Sequence, residues 1–81
     1  KAVLFVFDSP DTHGIWMKDM KFGIDIVWLN SDKKVITIRP NVQPGSYPEV
    51  FKPTSNSKYV IELSEGQAEK LGIKVGQTLS W

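Results

Sequence analysis

The 81-residue chain has no cysteine and one histidine. Without cysteine, the protein has no disulfide, no thiolate nucleophile and no cysteine-ligated metal, although this composition fits secreted and cytosolic proteins equally. A single imidazole falls short of the three protein ligands that a zinc ion requires. No apolar run approaches the ~20 residues of a membrane span. The composition therefore predicts no metal, no cofactor and no membrane span.

An excess of charge of either sign is also missing. Ten basic and nine acidic residues give a net charge of +1, and the two signs are interleaved along the chain. Proteins that bind nucleic acid usually carry a basic patch or stripe. The sequence therefore predicts no nucleic-acid partner.

The apolar pattern predicts strands along most of the chain. The run Val3–Phe7 is continuously apolar, which is typical of a strand covered on both faces. In Ile24–Leu29, alternation places Ile24, Ile26 and Trp28 on one face, so Trp28 is predicted to lie in the core. The remaining predicted strands are His13–Lys18, Lys34–Arg39, Lys58–Leu63 and a short last strand that ends at Leu79.

One short helix is predicted near the C-terminus. Ser64 followed by Gln67 has the spacing of a capping box. The helix then runs over Gln67–Leu71 and ends at Gly72. With about six strands and no alternation of strand and helix, we expect a mostly β (α+β) fold: a small antiparallel β-barrel-like domain with one short helix near the C-terminus, forming a single domain over residues 1–81.

A proline-rich segment, Pro40–Ser57, has neither the helical nor the strand period. It contains four prolines together with Tyr47 and Phe51. Loops of this length inside small domains are usually functional or disordered. We predict a long ordered loop, in which the two rings either form a lip beside a ligand or cover one end of the domain from within.

Several segments together resemble one known family. They are Leu4–Asp8, His13–Met20, Ile24–Ile26, Tyr59–Leu63 and Leu71–Gly76. This combination resembles the domain of unknown function 192 family over nearly the whole chain. The resemblance implies a compact β-rich fold of uncharacterised activity in prokaryotic proteins, often behind a signal peptide or lipoprotein leader. We therefore expect an extracytoplasmic location, whether secreted, periplasmic or lipid-anchored, and a chain trimmed at its N-terminus.

Aromatic and charged residues supply the candidate binding site. Aromatic rings such as Trp16 suit stacking on sugars, because they combine a flat apolar face with a polar group. Small-ligand pockets also need a few placed polar groups, and Lys18 and Asp25 could provide such a pair or form an inconsequential surface ion pair. The predicted ligand-binding residues are Trp16, Lys18, Asp25, Tyr47 and Phe51.

These residues favour a non-catalytic binding or accessory domain whose partner is a polysaccharide or another small polar ligand. One alternative is a metal-independent hydrolase that uses Asp8, Asp11 or Asp25 with His13 as acid and base. Another is a protein-interaction module that pairs through an exposed strand edge.

Overall fold

Six strands and two short helical segments make up the computed structural model, which describes residues 2–81. The strands are β1 Ala2–Asp11, β2 Ile15–Trp16, β3 Ile24–Leu29, β4 Val35–Val42, β5 Val50–Phe51 and β6 Ser57–Ser64, followed by helix α1 Gln67–Lys70, with a 3₁₀ turn at Pro44–Ser46. All strand pairs are antiparallel, in one sheet of order β1-β6-β3-β4 and a second sheet of β2 and β5. The mostly β prediction is confirmed, but the four-stranded sheet stays open and does not close into a barrel.

Strand β3 is the centre of the core, and all six of its residues are buried. Ile24, Ile26 and Trp28 belong to one apolar cluster, while Val27 and Leu29 belong to a second. The two clusters lie on opposite faces of the strand, because successive side chains alternate. The predicted phase of β3 and the buried position of Trp28 are therefore confirmed.

Strand β1 departs from its prediction. It lies at an edge of the sheet and pairs with β6 alone. Val3, Leu4, Phe5 and Val6 are between 38% and 60% exposed. The prediction of a strand covered on both faces was wrong because a continuous apolar run has the same appearance in a central strand and in an uncovered edge strand.

The segment predicted as one long loop contains regular structure. Strand β4 continues past Arg39 to Val42 through Pro40, which an edge strand tolerates because its outer N–H groups have no ladder partner. Strand β5 then pairs with β2, placing Ile15 opposite Phe51. The predicted strand His13–Lys18 is correspondingly reduced to two residues.

Helix α1 is confirmed, but its start is not at the predicted cap. The N-cap is Gly66 at φ 88°, without a side-chain cap, so the capping box from Ser64 was wrong. At the other end, Gly72 at φ 72° donates to Glu69 at 3.0 Å, and Ile73 donates to Ala68 at 2.9 Å. This is the hydrogen-bond pattern of a Schellman motif.

The predicted last strand is reduced to a single bridge between Lys34 and Thr78. Backbone bonds from Val35 to Gln77 and from Leu79 to Lys33, at 2.8 and 2.9 Å, still hold this segment beside the start of β4. Within residues 2–81, neither helical segment has the length and apolar character needed to cross a bilayer.

Candidate functional site

The pairing of β2 with β5 brings two distant aromatic rings together. Trp16 lies at the end of β2, and Tyr47 lies three residues before β5. Their ring centroids are 5.2 Å apart, with an angle of 52° between the planes. The two side chains are 46% and 44% exposed. The structure therefore places two predicted ligand-binding residues side by side on the surface.

Lys18 belongs to the same surface. Its ammonium nitrogen lies 5.7 Å from the centroid of the Trp16 ring, within the range of a cation–π contact. An exposed contact of this kind contributes about 0.5–1 kcal/mol. We call Trp16, Lys18 and Tyr47 together the Trp16–Tyr47 surface.

Phe51 lies beneath this surface and not on it. The ring is 6% exposed and belongs to the same apolar cluster as Trp28 and Met17. The guanidinium of Arg39 lies 4.8 Å from its centroid. Phe51 therefore anchors β5 in the core, as in the alternative in which the loop rings are tucked inside.

Asp25 is buried at 1% exposure, whereas Lys18 is exposed. One carboxylate oxygen accepts the backbone N–H of Asn41 at 3.0 Å, and the other accepts that of Ala68 at 2.9 Å. Both oxygens thus contact backbone donors, so the predicted polar pair with Lys18 does not form. The carboxylate connects the central strand to the end of β4 and to the first turn of α1.

His13 has structural contacts of its own. Its ring is stacked on Phe7, with centroids 3.7 Å apart and 9° between the planes. Its Nε2 is 2.9 Å from the carbonyl oxygen of Ser9, and its backbone carbonyl accepts the indole N–H of Trp28 at 2.9 Å. Asp11 accepts the N–H of Thr12. Residues 2–81 contain no group of three histidine, aspartate or glutamate side chains placed to hold a metal ion.

Trp81 is 51% exposed but lies elsewhere on the molecule. Its ring packs edge-on against Tyr59, with centroids 5.1 Å apart, and beneath the ammonium of Lys33 at 4.5 Å. Tyr59 packs against the second apolar cluster, whereas Ile15 of β2 packs against the first. Trp81 is therefore not part of the Trp16–Tyr47 surface.

One cleft was not predicted from the sequence. It has a volume of about 160 Å³ and apolar walls formed by Val3, Met20, Phe22 and Ile24. Glu62 also lines the cleft, and burial raises the pKa of its carboxyl group above the ordinary 4.5. The sequence contains one signal for this cleft: Glu62 is two residues from Val60, and alternation along a strand directs both side chains to one face. We call this the Glu62 cleft.

The comparisons with known proteins find relatives in three prokaryotes. A UPF0127 protein of Pyrococcus furiosus is 32% identical over 73 residues, which are 90% of this chain and 57% of that protein. A protein of unknown function from Novosphingobium aromaticivorans has a TM-score of 0.90 and 29% identity, covering all of this chain and 57% of the other. A candidate transcription regulator from Sinorhizobium meliloti has a TM-score of 0.90 and 28% identity, over 98% of this chain and 60% of the other.

The chain thus spans between 57% and 60% of the length of these relatives. The model of the DUF192 family, described as an uncharacterized ACR, matches residues 1–81. The family resemblance of the sequence is confirmed, and this chain belongs to the DUF192 family.

Proposed function

We propose that this domain is a non-catalytic binding module that holds a glycan or another small polar ligand on the Trp16–Tyr47 surface. The observation that carries this proposal is the pair of half-exposed rings with centroids 5.2 Å apart. A small domain needs most of its aromatic area for its core. Two adjacent rings left in solvent therefore favour a role outside folding.

The shape and chemistry of this surface suit a sugar. The 52° angle between the rings forms a shallow corner, in which an apolar sugar face can rest on one ring while its rim meets the other. The indole N–H, the phenol hydroxyl and the Lys18 ammonium can donate hydrogen bonds to sugar oxygens. Binding of this kind requires neither a metal nor a catalytic pair.

The test is a titration with soluble oligosaccharides of cellulose, chitin, starch and peptidoglycan type, followed by amide chemical shifts and tryptophan fluorescence. We expect shifts near Trp16 and Tyr47, and about tenfold weaker binding for Trp16→Ala or Tyr47→Ala, because each ring supplies stacking area. Trp81→Ala is the matched control, because this tryptophan is similarly exposed at 51%. An absence of binding to every sugar, or an equal loss in Trp81→Ala, would contradict the proposal.

Family membership leads us to propose an extracytoplasmic location for the natural protein, since the resemblance implies an export leader in many members. Cell fractionation of the protein expressed from its own gene tests this proposal. Recovery in the cytoplasmic fraction would contradict it.

A second candidate function is self-association through β1. This edge strand has four apolar side chains that are 38–60% exposed, and exposed apolar edges favour pairing with another strand. The segment Ala2–Phe7 has no charged residue. Two copies of β1 could therefore pair in antiparallel fashion without placing like charges opposite each other.

Sedimentation velocity at increasing protein concentration tests this second function. We expect a dimer that Val6→Lys dissociates, because a charge in the strand blocks edge pairing. Val75→Lys is the matched control, since Val75 is 62% exposed and lies outside β1. A monomer at every concentration, or equal dissociation by both variants, would contradict this function.

A further inference from the structure

The Glu62 cleft lies between β1 and the central part of the sheet. Glu62 of β6 is opposite Val3 on one side and opposite Ile26 on the other. Its side chain shares a face with the apolar cluster that contains Ile26 and Val60. The cleft includes Val3 of the edge strand β1 and shares no residue with the Trp16–Tyr47 surface.

The cleft combines one carboxylate with apolar walls. Glu62 is its charged residue, Ser64 contributes a hydroxyl, and the walls are largely Val3, Met20, Phe22 and Ile24. Its volume of about 160 Å³ is close to that of an engineered cavity of about 150 Å³ that takes up benzene. The space therefore suits one small organic molecule.

The carboxylate of Glu62 is partly buried and has lost part of its hydration without compensation from within residues 2–81. Burial is the cause of its raised pKa, and no cation or hydrogen-bond donor in the described part of the chain offsets that rise. A carboxylate that loses hydration normally gains a cation or hydrogen-bond donors in exchange. Asp25, which accepts two backbone N–H groups, shows the usual arrangement in the same sheet.

We propose that the Glu62 cleft binds a small organic ammonium ion, with the ammonium at the Glu62 carboxylate and an apolar body of about the size of a benzene ring against Val3, Met20 and Phe22. Charge complementarity selects a cation, and the apolar walls select one that carries a hydrocarbon group. The size of the cleft favours a free small amine over a larger ligand. This site is additional to the Trp16–Tyr47 surface.

The experiment is an NMR titration of the protein with benzylammonium chloride at pH 7, compared with benzyl alcohol as a neutral molecule of similar shape. We expect saturable shifts at the amides of Val3, Phe22 and Ser64, and about tenfold weaker binding of the alcohol, because it lacks the charge. Equal affinity for both probes would overturn the proposal. So would an absence of shifts up to about 50 mM, or shifts centred on Trp16.

Two variants assign the interaction to the carboxylate. Glu62→Gln keeps the side-chain shape and removes the charge, so we expect about tenfold weaker binding of benzylammonium. Glu69→Gln removes an exposed acid from α1 and should leave the affinity unchanged. An amide spectrum that retains its dispersion shows that Glu62→Gln is folded. Unchanged affinity in Glu62→Gln would overturn the assignment.

The pH dependence gives a second readout. Among residues 2–81, Val3 on β1 and Ile26 on β3 face Glu62, with Met20 and Phe22 across the cleft, and none of these four titrates. The charged group on this face of β4 is Arg39, opposite Ile26, and its guanidinium lies 4.8 Å from the centroid of the Phe51 ring. Benzylammonium affinity should fall as the pH is lowered and Glu62 takes up a proton, and this dependence should disappear in Glu62→Gln. A dependence that persists in the variant would assign the effect to another group and overturn the proposal.

Discussion

Two carboxylates in the same sheet have opposite surroundings. Asp25 is almost fully buried and accepts hydrogen bonds from two backbone N–H groups, so lost hydration is replaced by fixed donors. Glu62 lies beside apolar side chains, and burial raises its pKa. The first carboxylate is therefore a structural connector, and the second is held at a cost to folding.

Asp25→Ala should destabilise the protein by about 3 kcal/mol, because it leaves the N–H groups of Asn41 and Ala68 without their acceptor. Urea unfolding followed by circular dichroism measures this loss. Asp8→Ala is the control, since Asp8 is exposed, and its effect should be within about 0.5 kcal/mol of zero. Equal effects of the two substitutions would contradict the connecting role of Asp25.

Glu62→Gln should raise the stability at neutral pH. The folded state holds the Glu62 pKa above 4.5, so it binds the proton more tightly than the unfolded chain does. The stability from this group is therefore fully present below the ordinary pKa and is lost as the pH rises through the raised value. The melting temperature of Glu62→Gln should exceed that of the wild type at pH 7, and the difference should shrink towards pH 4. A difference that is constant with pH would contradict this explanation.

At the scale of the element, helix α1 shows what local sequence can and cannot predict. A helix of four residues is not stable by itself, and contacts at both ends hold it in place. Its C-terminal end was predictable, because Gly72 supplies the left-handed residue that a Schellman motif needs. At its N-terminal end, the backbone N–H of Ala68 donates to Asp25, which lies 43 residues earlier in the chain. No local sequence pattern could indicate this contact.

Gly72→Ala should cost about 1 kcal/mol, because alanine must adopt the φ of 72° that the helix end requires. Thermal unfolding gives the difference. Gly45→Ala is the matched control, since a Cβ at Gly45 would have no atom within 4 Å and its φ is not positive, and it should be neutral or slightly stabilising. A loss in Gly45→Ala as large as that in Gly72→Ala would show that φ at Gly72 is not the cause.

The Trp16–Tyr47 surface could be predicted only in part, because it also depends on contacts between distant segments of the chain. Trp16 and Tyr47 could be proposed from residue type, but their proximity depends on β2 and β5, which have two residues each. Strands this short have no detectable period. Phe51 is drawn into the core by the same pairing, because its neighbour Val50 takes the outward position.

At the scale of the whole molecule, one central strand supports two apolar clusters on opposite faces of an open sheet. Trp28 is the largest of the fully buried side chains and belongs to the first cluster. Its indole N–H also donates to the carbonyl of His13 at 2.9 Å, which ties the segment before β2 to β3. The core and the placement of the Trp16–Tyr47 surface are therefore linked through one side chain.

Trp28→Ala should remove about 3–5 kcal/mol of stability, as expected for truncation of a buried aromatic ring. A domain of this length has about 4–12 kcal/mol in total, so the variant should be largely unfolded or close to it, as measured by circular dichroism and amide shift dispersion. Trp28→Phe keeps most of the ring volume but loses the bond to His13, and should cost about 1–2 kcal/mol. In that folded variant, amide shifts should change at His13 and Ile15 as well as in β3. Shifts confined to β3 would show that Trp28 does not position the segment that carries Trp16.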